Sequence, residues 1–299
     1  MTVLNTNICI LERANVPIFN DMANLLHHAL LDSNCHSQIS QIRDYLLYSC
    51  MVQGAINIIL TPHYLLPSNL AHLQPETTII INSEPLLAFE KSNSPMHQHW
   101  LENIMRAAKH CHLWDYSQEN LQFFERHGIT HGQYLQLGFH EKLSRIKHVA
   151  EPDIDVLFYG AITPRRAEIL NQLQREQLRV VTLGNFWGEE LDSWIARSKI
   201  VLNMHAHDDS PFETVRCFYL INNSVAVVAE ETEQQSLPEH YKESVRAVPY
   251  NELVKTCAEL CSQPENWRAQ REQALCNIQR YPQTQIIQQL LYNTFCAAA

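Results

Sequence analysis

KIVLNMHAHDDSPFETVRCFYLINNSVAVVAE, residues 199–230, is the stretch on which the reading of the whole chain turns. KIVLNMH is a continuous apolar run that ends in polar residues. That is the pattern of a parallel strand covered on both faces, with its C-terminal end opening onto a ligand crevice. A site is therefore expected to begin at Asn203 and His205. Beyond HDDSP, the apolar residues Phe212, Val215, Phe218, Tyr219 and Ile221 recur at near-helical spacing. Glu213 and Arg216 lie three apart and share a face near the start of that helix, so a carboxylate and a guanidinium point towards whatever sits above the strand ends. VAVVAE is the next strand, with Glu230 at its C-terminal edge.

Upstream, the same cycle runs twice more. DIDVLFYGAITPRRAEILNQLQREQ, from Asp153, reads as a strand, a glycine turn at Gly160, and a helix opening at Pro164 with Arg165 and Arg166 in its first turn. A helix N-terminus is already electropositive, so two arginines there have the wrong sign for the helix dipole unless an anion is near. Phosphate binding would supply that anion; two solvated surface arginines are the alternative. LRVVTLGNFW is a strand ending at Gly184, and GEELDSWIARSK a helix with an acidic start and a basic end. Downstream, RAVPY is a last short strand, the segment from Asn251 to Tyr281 is helical with a break near Pro264, and a final helix runs from Pro282 to Phe295.

The first half alternates in the same way. ICIL is a short buried strand, a helix follows from Pro17, and Gln41 to Met51 is expected to be helical. AINIILTPHYL is a strand ending at Thr61 to His63, and TTIIINSEPL one ending at Asn82 to Glu84. MHQHWLENIMRAAKHC is an amphipathic helix and CHLWDYS a strand breaking into a turn at Asp115, Tyr116 and Ser117. SQENLQFFERHG is a helix capped by Ser117, and QYLQLGF a strand ending at Gly138. Alternating strands and helices define an α/β protein with parallel sheets, whose strand ends gather on one edge where ligands bind. A charged, irregular stretch, EKLSRIKHVA, marks a boundary. The expected division is 1–148, 149–281, and a C-terminal helix over 282–299 packing back on the first domain.

Composition narrows the function. The 299 residues carry a formal charge of −10, which argues against a nucleic-acid groove or an anionic membrane surface as the main partner. The nine cysteines are scattered with no CxxC pair, and no stretch has the length and apolarity of a membrane span. A cytoplasmic protein with free thiols is expected. None of the 16 histidines forms an HExxH pair, and Asp208 and Asp209 are adjacent rather than spaced as a DxD, so no metal site and no cofactor are expected. A carboxylate at a strand end is a different matter. Glu84 or Asp115 there has the placement of a general base towards an acceptor hydroxyl or amine, although Asp115 equally fits an Asx-turn capping the Ser117 helix. His63 is readable as an acceptor-side group or as an ordinary loop histidine.

Taken together, FYGAITPRR, the 199–230 stretch, IINSEPL and LWDYSQENL resemble a group of bacterial and viral glycosyltransferase-like proteins of GT-B architecture. The resemblance covers about Thr77 to Glu230. It implies two Rossmann-like domains facing across a cleft, with a nucleotide-diphosphate sugar held mainly by the C-terminal one and an acceptor, whether glycan, peptide or small molecule, by the N-terminal one. Carried over, Gly160 and Arg165 or Arg166 approach the diphosphate, and Gly184 belongs to the donor-binding set. Asn203, His205, Glu213, Arg216 and Glu230 line the donor pocket. The stretches Asn82 to Glu84 and Trp114 to Ser117 face the cleft, which makes Asn82, Tyr116 and Ser117, with His63, acceptor-side residues, and the catalytic base is expected to be Asp115 or Glu84. The wider pattern often places a second glutamate eight positions beyond the first, and here that position is Ile221. The implied activity is metal-independent sugar transfer; the alternative is a nucleotide or nucleotide-sugar binding protein of the same fold that does not transfer.

Overall fold

A computed structural model describes residues 3–12, 19–43, 51–206, 212–232 and 237–296. The chain divides into two compact units, 1–137 with 283–299, and 138–282.

The first unit is built on β1 (Asn5–Glu12), α1 (Asn20–Asp32), β2 (His36–Arg43), β3 (Ile56–Ile59), β4 (Thr78–Asn82), α2 (Leu86–Lys91), α3 (Pro95–His110), β5 (His112–Asp115), α4 (Gln118–Arg126) and β6 (Gln133–Tyr134). Its strands form one sheet in the order β2-β1-β3-β4-β5-β6, and every pairing is parallel. All five residues of TIIIN in β4 are buried, as expected for a strand with helices on both faces. The register places Asn82 opposite Asp115, so the last residues of β4 and β5 are neighbours. Ser117 caps α4 by accepting a hydrogen bond from the Asn120 N–H at 3.1 Å. The C-terminal helix, Gln283–Phe295, belongs to this unit. Thr294 fastens it by accepting from Trp114 Nε1 at 3.0 Å and from Gln133 Nε2 at 2.9 Å.

Two expectations for this unit change. Gln41, expected to begin a helix, lies in β2; residues 44–50 lie outside those described. HSQISQIR is a polar edge strand. Its sequence lacks the apolar run that marks the central strands, which is why periodicity passes over it. QYLQLGF, expected to be a strand, pairs only over Gln133–Tyr134 before the chain leaves the sheet.

The second unit comprises β7 (Ile154–Tyr159), α5 (Pro164–Arg175), β8 (Val180–Leu183), α6 (Gly188–Ala196), β9 (Ser198–Asn203), α7 (Thr214–Asn222), β10 (Ala226–Glu230), β11 (Val245–Val248), α8 (Leu253–Ser262) and α9 (Pro264–Ile278). Its sheet is parallel in the order β11-β10-β9-β7-β8. Val156, Phe158, Ile200, Leu202, Ala226 and Val228 pack from three neighbouring strands onto Leu170, Leu173, Leu253 and Trp267. That apolar layer fixes the strand ends.

The division between units falls at Leu137 and Gly138 rather than near 148. The reason is polar. Asn222, at the end of α7, donates to the Gly138 carbonyl and accepts from the His140 N–H, both at 2.9 Å. Asn223 accepts from the Arg145 N–H at 2.8 Å and the Ile146 N–H at 3.0 Å. Residues 138–148 are charged and irregular in sequence, yet they are bound to the second unit by these contacts.

Candidate functional site

In the second unit, β7 has β8 on one side and β9 on the other, so the chain reverses direction across the sheet between β7 and β9. In open parallel sheets this switch point, at the carboxyl ends of the strands, is where ligands bind. Gly160 follows β7, Asn203 ends β9 and Glu230 ends β10; the register sets Asn203 beside Ala229. The structure thus gathers at one edge residues 160–166, 203–205, 213–216 and 230.

Gly160 has φ of +126°, a conformation that L side chains rarely adopt. A Cβ there would lie 3.3 Å from the Arg216 guanidinium. Arg216 in turn reaches Asn203 Oδ1 at 3.3 Å and Glu213 at 2.9 Å, and its guanidinium lies 4.6 Å from the Tyr159 ring centre. Glu213 also accepts from Arg166 at 2.9 Å, so one carboxylate bridges two guanidiniums. Arg165 is paired bidentately with Glu230, and its guanidinium rests 3.9 Å from the Tyr250 ring centre. Glu230 further accepts from the His205 N–H at 3.0 Å. Among the described residues the cluster holds three guanidiniums, Arg165, Arg166 and Arg216, against two carboxylates, Glu213 and Glu230.

The two arginines of α5 are not equivalent. Arg166 is 3% exposed. Its guanidinium donates to the Met204 carbonyl, to the Ala161 carbonyl at 2.9 Å, and to Glu213. It ties β9 to the β7–α5 turn and presents almost no surface to a ligand, so of the two arginines offered for the diphosphate Arg166 is the structural one. The unfavourable sign of Arg165 and Arg166 at a helix start is compensated within the protein by Glu230 and Glu213. Gly184 follows β8, and a Cβ there would meet nothing within 4 Å, so glycine is not sterically required. His205 is buried, and burial lowers its pKa, so the ring is neutral near pH 7. Its Nδ1 has no hydrogen-bond partner among the described residues. Asp208 and Asp209 lie outside the described residues. Tyr159 and Tyr250, which back two of the arginines, were not distinguishable in sequence, because a ring stacked on a guanidinium is a tertiary contact.

The first unit gathers its own polar group where β4 and β5 end. Asp115 is fully buried, accepting from Asn82 Nδ2 at 2.7 Å, from the Ser117 N–H at 2.7 Å and from Asn120 Nδ2 at 3.3 Å. Burial raises its pKa to about 7 despite those hydrogen bonds. It makes the Asx-turn that precedes α4 and has no surface with which to touch an acceptor, so the base role read for it gives way to a structural one. Asn82 also donates to the Glu84 carbonyl at 3.0 Å and accepts from the Glu84 N–H at 3.2 Å. Asn120 adds a second bond to that carbonyl at 3.0 Å. Asp115 therefore anchors Asn82, and Asn82 and Asn120 fix the backbone of Glu84. The Glu84 side chain is 18% exposed and lies 3.4 Å from Nδ1 of the buried His63. Burial pushes the Glu84 carboxyl up to about 7. Tyr116 donates to the Ser83 carbonyl at 2.7 Å, and Ser117 donates to Glu119 at 2.8 Å while capping α4.

Residues 146–291 match the glycosyl transferase-like family. Over its full length the fold is similar to several solved glycosyltransferase structures. An α-glucosyltransferase in complex with UDP-glucose and DNA superposes with a TM-score of 0.67 at 7% identity, over 99% of this chain and 100% of the other. A sucrose-phosphate synthase from Thermosynechococcus elongatus gives 0.63 at 12% identity over 98% and 100%. WaaG, a glycosyltransferase involved in lipopolysaccharide biosynthesis, gives 0.61 at 9% identity over 96% and 98%.

The fold of this chain is of GT-B type.

Such low identities carry the fold, and the family match carries the second unit. Two uncharacterized proteins of Acanthamoeba polyphaga mimivirus are also similar. One is 32% identical over 152 residues, covering 50% of this chain and 52% of the relative; the other is 29% identical over 182 residues, covering 59% of each. The chain spans little more than half the length of these relatives. Among its described residues no helix is long and apolar enough to cross a membrane.

Proposed function

We propose that this protein transfers a sugar from a nucleotide-diphosphate donor to an acceptor, without a metal ion. The observation that carries the reading is the abutment of Gly160 on Arg216 at the switch point of the second sheet. A backbone without a Cβ, a guanidinium beside it and the N-terminus of α5 are what a diphosphate requires. In the transfer, the acceptor oxygen or nitrogen bonds to the anomeric carbon, the bond from that carbon to the diphosphate breaks, and the nucleoside diphosphate leaves with the electron pair. Arg216 and the α5 N-terminus stabilise the departing charge. Asn203 and Glu213 hold Arg216 in place, and Arg165 contributes charge from its pair with Glu230. Of the two carboxylates read from sequence as candidate bases, Glu84 alone keeps surface, and its pKa near 7 suits a group that takes a proton at neutral pH.

A second reading, donor binding without transfer, is favoured by Ile221. It is fully buried where the wider pattern often has a second glutamate. Both are tested by a thermal-shift screen with UDP, GDP and UDP-glucose, the last because the similar α-glucosyltransferase is described with it, followed by assay of nucleoside diphosphate release with an acceptor panel in EDTA. A ligand at about 100 times its Kd stabilises by about 2.7 kcal/mol. Binding lost in Arg216→Ala, with that variant still folded, supports the donor site; unchanged affinity in Arg216→Ala overturns it. Binding without release across the panel moves the protein to the second reading.

A further inference from the structure

Arg165 stands in the first turn of α5, where the helix dipole opposes a positive side chain. Glu230 supplies only part of what keeps it there. Tyr250 meets Arg165 twice: its hydroxyl donates to the Arg165 carbonyl at 2.8 Å, and its ring centre lies 3.9 Å from the Arg165 guanidinium. The same hydroxyl reaches Glu168 Oε2 at 3.2 Å, further along α5. One residue thus fixes both the main chain and the far end of a long, flexible side chain. The register explains how. β10 and β11 pair with Glu230 opposite Val248, so Tyr250 lies just beyond the strand partner of Glu230. Its ring is half-buried and packs against the apolar core of the second unit, which gives the arginine a rigid support.

We infer that Tyr250 is a positioning residue for the diphosphate: it holds the Arg165 guanidinium against Glu230 at the strand edge and acts on the ligand only through that arginine. The negative face of the ring attracts the cation and offsets the repulsion of the helix start. An arginine side chain that is already ordered gives up little rotamer freedom when an anion arrives, so the ordering cost falls on folding and not on binding. Glu230 depends on the same support. It is 2% exposed, and if Arg165 swung away it would be a buried carboxylate without its cation. Glu230 also accepts from the His205 N–H, so the hold of Tyr250 on Arg165 extends to the backbone just past β9. The inference rests on the sugar-transfer reading for the identity of the ligand; the hold on Arg165 stands on the second unit alone.

The test compares UDP with uridine, which lacks the phosphates, by calorimetry on the full-length wild type, Tyr250→Phe and Tyr250→Leu; GDP and guanosine take their place if GDP is the nucleotide that binds. A residue acting through Arg165 changes the phosphate contribution alone, whereas a general loosening of the unit weakens both ligands. UDP affinity is expected to fall about tenfold in Tyr250→Leu and about threefold in Tyr250→Phe, which keeps the ring, with uridine affinity as in the wild type. Equal loss of UDP and uridine binding in a folded variant, or full UDP affinity in either variant, overturns the assignment. The Arg165 Nε–Hε signal in NMR reads the hold without any ligand: it is expected to be that of an ordered side chain in the wild type and of a mobile one in Tyr250→Leu, and an unchanged signal in that variant, if folded, also overturns it. If no nucleotide binds the wild type, the sugar-transfer reading falls, while the NMR signal still decides whether Tyr250 holds Arg165, so the two failures are distinguishable.

Discussion

Replacing Arg166 by alanine separates a structural arginine from a ligand-binding one at the same strand edge. The guanidinium donates to the carbonyls of Met204 and Ala161 and to Glu213, and the residue is 3% exposed. Alanine leaves two backbone acceptors without this donor, each costing about 1 kcal/mol or more where water does not replace it. Glu213 loses one of its two guanidiniums but keeps Arg216 at 2.9 Å, and its side chain is 28% exposed, so its share lies below the 3–5 kcal/mol typical of a broken buried pair. The expected loss is about 3 kcal/mol in the second unit, a Tm shift of roughly 6–12 °C for a unit of this size. Urea denaturation followed by tryptophan fluorescence reads it, since Trp187, Trp194 and Trp267 all lie in that unit. Arg166→Met, which keeps the apolar stem but not the donors, is expected to lose nearly as much. A loss below about 1 kcal/mol in Arg166→Ala, or abolished nucleotide binding at unchanged stability, refutes the structural assignment and returns Arg166 to the ligand.

Two further outcomes follow from the geometry. Gly160→Ala forces a side chain into φ of +126° and against Arg216 at 3.3 Å, so stability falls by roughly 1–3 kcal/mol and nucleotide affinity falls with it; a neutral result by calorimetry and denaturation contradicts the close-approach role. Glu84, with a carboxyl pKa of about 7 against an ordinary 4.5, binds its proton more tightly in the folded than in the unfolded chain. Between those values the wild type loses stability as pH rises, and Glu84→Gln does not share this loss. The stability difference between Glu84→Gln and wild type therefore grows in favour of the variant by at most about 1.4 kcal/mol per pH unit up to pH 7, then levels off. A flat or opposite difference across pH 5 to 8 shows that Glu84 is not protonated preferentially in the fold.

Much of the architecture was legible because parallel strands covered on both faces must be apolar throughout, and IVLN, VLFY, TIIIN and AVVAE announce themselves in that way. The residues at their ends followed by counting, so Gly160, Asn203, Glu213, Arg216 and Glu230 were named from sequence and stand at one sheet edge. The polar edge strand β2 escaped the same logic, since the apolar pattern on which it depends is absent there. Sequence alone thus determined the α/β class, the order of the elements around the central strands and which residues reach those strand ends. It left open which side chains at those ends are committed to the protein itself. That depended on partners distant in the chain: Met204 and Glu213 for Arg166, Glu230 for Arg165, Asn82 and Asn120 for Asp115, and Trp100 beside His63. Spacing along a strand or helix fixes a residue's direction, but burial and the number of occupied donors are properties of neighbours brought together by the fold, and these decide whether a charge is spent inside the protein or left for a ligand.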